Sequence, residues 1–289
     1  MTATRPDPSV IDDPWRAMAT PGGARIGLGR AGASLPTAPL LAFQLAHARA
    51  RDAVHESLDV AALAALLAQQ RIATVAVTSR ARDRREYLLR PDRGRRLDET
   101  SAARLAQVHA AARAQQAASA GGPAAEPAPP PEAAAPGFDL AIVIADGLSA
   151  AAPQRHAWPV LAAVLPVLTR WQWTLAPVVL ATQARVALGD DIAERLGARM
   201  VAMMIGERPG LSAADSLGIY LTLAPKVGCT DAQRNCLSNI RDGGLAPQAA
   251  AHSLLYLARQ ARVIGQSGVA LKDDSARAAS LLDARASSI

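Results

Sequence analysis

Aromatic residues are scarce in this chain: four Trp, three Tyr and two Phe among 289 positions. So few rings exclude the basic, aromatic-studded surface on which nucleic-acid bases stack. They also require a core of Ala, Leu and Val, since half the residues are apolar. Lysine is scarcer still. Lys226 and Lys272 are the only two, so nearly all of the 31 basic residues are arginine, and the net charge is only +6. The arginines are interleaved with acids, as in Arg80 to Arg85 around Asp83 and in Arg95-Arg96 before Asp98-Glu99. An arginine-rich solvated surface accounts for them, and no nucleic-acid partner is expected. Cysteine is limited to Cys229 and Cys236, which can form neither a disulfide framework nor a C-x-x-C zinc pair. No apolar run approaches the roughly 20 residues that cross a bilayer, and Met1 to Pro14 is polar and proline-broken, unlike a secretory leader. A cytoplasmic protein with no membrane partner is expected.

The length suffices for two compact bodies, and composition suggests where they divide. Residues 114–137 hold six prolines, no aromatic and no β-branched residue. Such a stretch buries too little to offset its ordering entropy, so it reads as a disordered linker that joins two bodies without fixing their geometry. Residues 1–11 read as a flexible tail and 12–113 as a mainly helical domain. Within that domain the spacing predicts helices over 40–54, 60–70 and 98–112, with one strand at Ile72 to Val77. In residues 138–289 continuous apolar strands (139–145, 175–180, 199–205, 217–223) accompany helices over 153–168, 190–196 and 247–263. Strands apolar on both faces and separated by helices predict a Rossmann-like parallel sheet, so the fold class is α/β. In doubly wound sheets ligands sit beyond the carboxyl ends of the strands. Asp146-Gly147 and Gly206-Glu207 both fall at such ends.

The densest polar feature lies there. Ile205-Gly-Glu-Arg-Pro-Gly-Leu211 follows an apolar strand, and Arg234-Asn-Cys-Leu-Ser-Asn-Ile240 packs four polar side chains and a thiol into one short stretch. Glu207 is either a strand-end charge partner of Arg208 or a carboxylate that accepts hydrogen bonds from a ligand's amides. Cys236 is either a small buried thiol or a ligand contact, and Val186 either a loop anchor or an apolar wall. The run Gly27-Leu-Gly-Arg-Ala-Gly32 matches G-x-G-x-x-G, with Asp52 beyond it. It lacks a full preceding strand, and Pro36 and Pro39 stand where the fingerprint's helix should open. A glycine loop holding close backbone contacts is the better reading. His47, His55, His109, His156 and His252 sit in helical runs without metal-ligand spacing, and no G-x-S-x-G or H-E-x-x-H occurs. No catalytic residue and no metal ligand is expected on this chain.

Several separated blocks closely resemble the small (light) subunit of ethanolamine ammonia-lyase. They are Asp13 to Arg16, Arg25 to Thr37, Phe43 to His55, Arg90 to Leu97, Ala145 to Ala150, Ile205 to Leu211, Arg234 to Ile240 and Ser267 to Lys272. The resemblance implies an obligatory subunit of a carbon–nitrogen lyase that converts ethanolamine to acetaldehyde and ammonia with adenosylcobalamin. It implies a hetero-oligomer in which a large subunit carries the radical chemistry and this chain closes over the cobalamin. It also carries three cofactor contacts onto Val186, Glu207 and Cys236. The linker departs from the family pattern, and packaging in a bacterial microcompartment is left open. Two rivals are a free-standing Rossmann-like nucleotide-binding enzyme built on Gly27 to Gly32, and a pure assembly scaffold.

Overall fold

The computed structural model describes residues 10–19, 24–119 and 137–275. The chain opens with a two-stranded ribbon, β1 (Val10–Ile11) and β2 (Arg30–Ala31), which pair antiparallel around a 3-10 turn at Pro14–Met18 capped by Asp13. The glycine loop is packed backbone to backbone on this arm. A Cβ at Gly27 (φ +61°) would come within 2.2 Å of the Arg16 nitrogen, and one at Gly29 within 2.7 Å of the Ile11 carbonyl. The loop therefore makes close backbone contacts at Gly27 and Gly29, whereas Gly32 has open space around it.

Helices α1 (Thr37–His55), α2 (Val60–Gln69), α3 (Arg84–Leu89) and α4 (Glu99–Ser119) follow, with β3 (Thr74–Thr78) between α2 and α3. Asp59 and Asp83 accept from the amides of Ala62 and Glu86, fixing the starts of α2 and α3. Next come β4 (Phe138–Ala145), α5 (Ala151–Arg170), β5 (Val178–Thr182), α6 (Leu188–Leu196), β6 (Ala198–Gly206), β7 (Leu217–Leu223), β8 (Arg234–Ile240) and α7 (Pro247–Ile264). Gly197 and Gly265 end α6 and α7 in the left-handed conformation that glycine adopts without steric cost.

The strands form one sheet in the order β3-β5-β4-β6-β7-β8. The pairs β3–β5, β5–β4 and β4–β6 are parallel, whereas β6–β7 and β7–β8 are antiparallel. The α/β class holds, but the sheet is mixed rather than wholly parallel. No helix lies between β6 and β7, so the chain can only return antiparallel beside the strand it has left. Crossover helices do follow β4 (α5) and β5 (α6), and they return the chain so that β5 and β6 lie parallel to β4 on its two sides.

The expected boundary between two bodies also differs. Residues 114–119 belong to the last turns of α4, because Ala and Gln are strong helix formers. Strand β3 of the first half pairs with β5 along five residues, and Gln116 donates to the Gly137 carbonyl at 2.8 Å. Both halves thus build one sheet. The remainder of the expected linker (120–136) and the first nine residues of the expected tail lie outside the described residues.

Side-chain alternation along the strands makes two cores. Leu140, Ile142, Ile144, Met200 and Met204 pack under α2, α5 and α7. Ala141, Val143, Val179, Val201 and Met203 pack under α4 and α6 with Leu105, Ile192 and Leu196. On this second face α6 covers the middle of the sheet and leaves β7–β8 as an open flank, where Cys236, Ser238 and Asn239 are exposed.

Candidate functional site

The turn after β4 is a structural knot. The Asp146 carboxylate is buried and accepts from the amides of Gly147 (2.8 Å), Gln183 (2.7 Å) and Ala184 (2.9 Å), with Arg84 at 3.7 Å. Burial pushes its pKa above the usual carboxylate range, while the Ala184 and Gln183 amides and the Arg84 cation pull against it. Gly147 (φ +56°) passes so close to β6 that a Cβ would meet the Gly206 carbonyl at 2.2 Å. Asp146 therefore ties the loop after β5 to the end of β4. That loop carries Val186, half-buried against the core beneath α6.

Glu207 is the first residue beyond β6. Its amide donates to the Ser216 carbonyl, and its Oε2 accepts from Ser216 Oγ (2.5 Å) and the Asn239 amide (3.3 Å). These partners are a hydroxyl and an amide rather than Arg208, so the charge-pair reading is not the one realised. The carboxylate lies over Gly218, where any Cβ would come within 2.9 Å of Oε1. Oε1 itself has no hydrogen-bond partner among the described residues and remains a free acceptor at the open flank. The loop that follows is held in place, since Ser149 Oγ donates to the Ala214 carbonyl and Arg155 pairs with Asp215, both at 2.7 Å.

Strand β8 supplies the rest. Opposite Gly218 it carries two residues, Ser238 and Asn239, between the Ile219–Leu237 and Leu217–Ile240 pairs. The resulting bulge holds Asn239 at φ +62° and turns its amide toward Glu207. Cys236 is exposed and pairs across the strand with Tyr220, which packs against the α6-side core. Although its surface is open, neighbouring protein atoms partly desolvate the Cys236 thiol and push it up; the Tyr220 hydroxyl pulls down and the Glu207 charge adds to the rise. Burial, Cys236 and Glu207 push Tyr220 up as well. Thiol and phenol are both neutral near pH 7, suited to contact rather than to nucleophilic attack.

The strand is anchored by Arg234. Its Nη1 and Nη2 each donate to one oxygen of Asp190 on α6 at 2.6 Å, and further bonds reach Thr222 Oγ1 (3.1 Å) and the Cys229 carbonyl (2.8 Å). Burial would lower the Arg234 pKa, but the fork to Asp190 outweighs it and the guanidinium stays charged. Asn235, by the period of two, faces away from Arg234 and Cys236. It donates to the Gly268 and Leu271 carbonyls and accepts from the Gly268 amide, which explains the Ser267 to Lys272 block as the cover of the β8 edge. The polar run thus divides into an anchor (Arg234), an edge clamp (Asn235) and a presented group (Cys236).

Val186, Glu207 and Cys236 therefore share the α6 side of the sheet. Val186 and Tyr220 pack on the same core, Cys236 pairs with Tyr220, and Glu207 closes the top at Gly218. Tyr220 and the Asp190–Arg234 fork escaped the reading of the sequence. The apolar strand Leu217 to Leu223 hid the first, and the second joins residues 44 positions apart. A cavity of about 580 Å³ adjoins this face, lined by Val186, Arg185, Arg95, Arg96 and Arg234.

Fold and site define an α/β protein in which, among the described residues, no helix covers one polar sheet flank. The ethanolamine ammonia-lyase light chain (EutC) family model matches residues 12–272, and the chain belongs to this family. It is 52% identical over 275 residues to the ethanolamine ammonia-lyase small subunit of Ralstonia nicotianae, covering 94% of both chains. It is likewise 52% identical to that of Azotobacter vinelandii (92% of this chain, 90% of the relative) and 51% identical to one from Pseudomonas putida (91% and 89%). Among the described residues no helix is long and apolar enough to cross a membrane.

Proposed function

We propose that this chain is the small subunit of an ethanolamine ammonia-lyase and covers adenosylcobalamin where it meets the large subunit. Val186, Glu207 and Cys236 are the contacts assigned to the cofactor. The observation that carries the reading is the Glu207 carboxylate: prepositioned over Gly218, held through Oε2, and with Oε1 free beside an exposed thiol. Cobalamin is rimmed by side-chain amides, and a free carboxylate oxygen on a preorganised strand end accepts from such N–H donors. The residues present fit the group in chemistry, with an acceptor oxygen at Glu207 for its amides and an apolar side chain at Val186. When bound, the cofactor supplies the radical chemistry that converts ethanolamine to acetaldehyde and ammonia. This chain's share is to bind and orient: Asp146 fixes the Val186 loop, Arg234 fixes β8, and the neutral Cys236 and Tyr220 offer no competing nucleophile.

The large subunit is assigned to the N-terminal arm and α1. Ala53 is the only buried residue of α1, and Leu41 (57% exposed) and Phe43 (43%) on that helix, like Trp15 (60%) and Met18 (62%) on the arm, stand uncovered. Large apolar side chains left exposed along two elements suit them to burial against a partner.

The test is cobalamin retention by the assembled complex after Glu207→Gln and Glu207→Ala. Weaker retention with an unchanged circular dichroism spectrum is expected. Wild-type retention in both variants would remove Glu207 from the site.

A further inference from the structure

The cavity beside Val186 is a basic groove whose walls are tied together. The Arg185 amide donates to the Gly94 carbonyl at 2.8 Å, so the Val186 loop and the turn carrying Arg95 and Arg96 move as one. Gly94 has no side chain because Arg185 lies there: a Cβ would meet Arg185 Cγ at 2.8 Å. The opposite wall, 227–231, is fixed by the Arg234 bond to the Cys229 carbonyl. Arg185 stacks on Tyr87 at 4.2 Å and donates to its carbonyl, yet its Nε is buried without a partner. Arg95 and Arg96 are exposed, and no side-chain partner holds either guanidinium among the described residues. Asp190 neutralises Arg234, and Asp231, at 3.4 Å from Arg234 Nε, is the one carboxylate on the groove wall. Three arginines therefore converge, against one solvent-facing acid, on a concave space of about 580 Å³. Planar guanidinium forks are matched to phosphate oxygens.

We infer that this groove receives the phosphodiester of the cobalamin nucleotide loop, with Arg95, Arg96 and Arg185 as its donors. The inference rests on the cofactor reading above and extends it from the corrin's amide rim to its anionic tail. Contiguity with Val186 selects a cofactor phosphate over an acidic patch of the partner subunit, and the concave, prebuilt walls agree with that choice.

The test compares two ligands on the assembled complex by equilibrium dialysis: hydroxocobalamin and cobinamide, the same corrin lacking the phosphate and nucleotide. Arg95→Gln/Arg96→Gln changes two exposed side chains, and Arg170→Gln is the charge control. Expected is a cobalamin dissociation constant raised about tenfold or more by the double change, cobinamide binding unchanged, and no effect of Arg170→Gln. Equal losses for both ligands, or weakened subunit association with unchanged ligand affinity, would assign the arginines to the partner protein and overturn the inference. No loss for either ligand would overturn it too, leaving the cofactor reading intact. A wild-type complex that retains no cobalamin would overturn both.

Discussion

The bidentate fork between Arg234 and Asp190 yields the sharpest stability prediction. Both side chains are almost wholly buried, at 2% and 1% exposure, and breaking such a pair leaves one uncompensated charge in the interior. That costs about 3–5 kcal/mol, a large part of the roughly 5–15 kcal/mol by which a domain is stable. Asp190→Leu and Arg234→Met should each lower the urea midpoint by about 1–2.5 M, taking a slope near 2–3 kcal/mol/M. The double variant should recover most of this, because packed apolar side chains often replace a buried pair at little cost. About 1–2 kcal/mol should stay lost, since the Cys229 carbonyl and Thr222 hydroxyl forfeit their donor. The assay is urea unfolding of the full chain followed by circular dichroism. Single variants losing under about 1 kcal/mol, or a double variant equal to the sum of the singles, would refute the claim that this pair anchors β8 to α6.

Cys236 should alkylate slowly with iodoacetamide in a Cys229→Ala background. Its raised pKa keeps the thiolate scarce at neutral pH, so the rate should climb at a higher pH than that of a free cysteine measured beside it. Glu207→Gln removes a charge that raises the thiol and should move that profile to lower pH; an unmoved profile would separate the two groups. Gly147→Ala should destabilise by more than about 2 kcal/mol, read as a fall in thermal midpoint, because it forces a left-handed alanine against the Gly206 carbonyl. Leu41→Asp should leave the isolated chain as stable as before and weaken co-purification with the large subunit; undiminished co-purification would move the docking surface away from α1.

The apolar strands were legible because both faces are buried. Residues 217–223 were read at the bounds the structure has, and 139–145 and 199–205 fall within one residue of theirs. Strand β8 was not, since Arg234 to Ile240 buries only Arg234, Leu237 and Ile240 and owes its form to pairing with β7. Strand direction was illegible for a related reason: it depends on what connects two strands, and the apolar pattern is the same either way. Composition misplaced the linker boundary, because the Ala and Gln of 114–119 suit a linker and a helix alike. Of the proposed contacts, Glu207 and Cys236 stand out in the sequence by a strand end and by polar density. Their support does not. Asp146 reaches 38 residues along the chain to Ala184 and Arg234 reaches 44 to Asp190, and no local pattern encodes such partners. Asp146-Gly147, read as a strand-end ligand position, holds the loop of Val186 instead.

The most direct test of the account is acetaldehyde formation from ethanolamine and adenosylcobalamin by this chain and its cognate large subunit, expressed separately and together. Activity is expected only when both chains are present, with cobalamin retained through gel filtration by the complex alone. Full activity of the large chain without this one, or two chains that never associate, would contradict it.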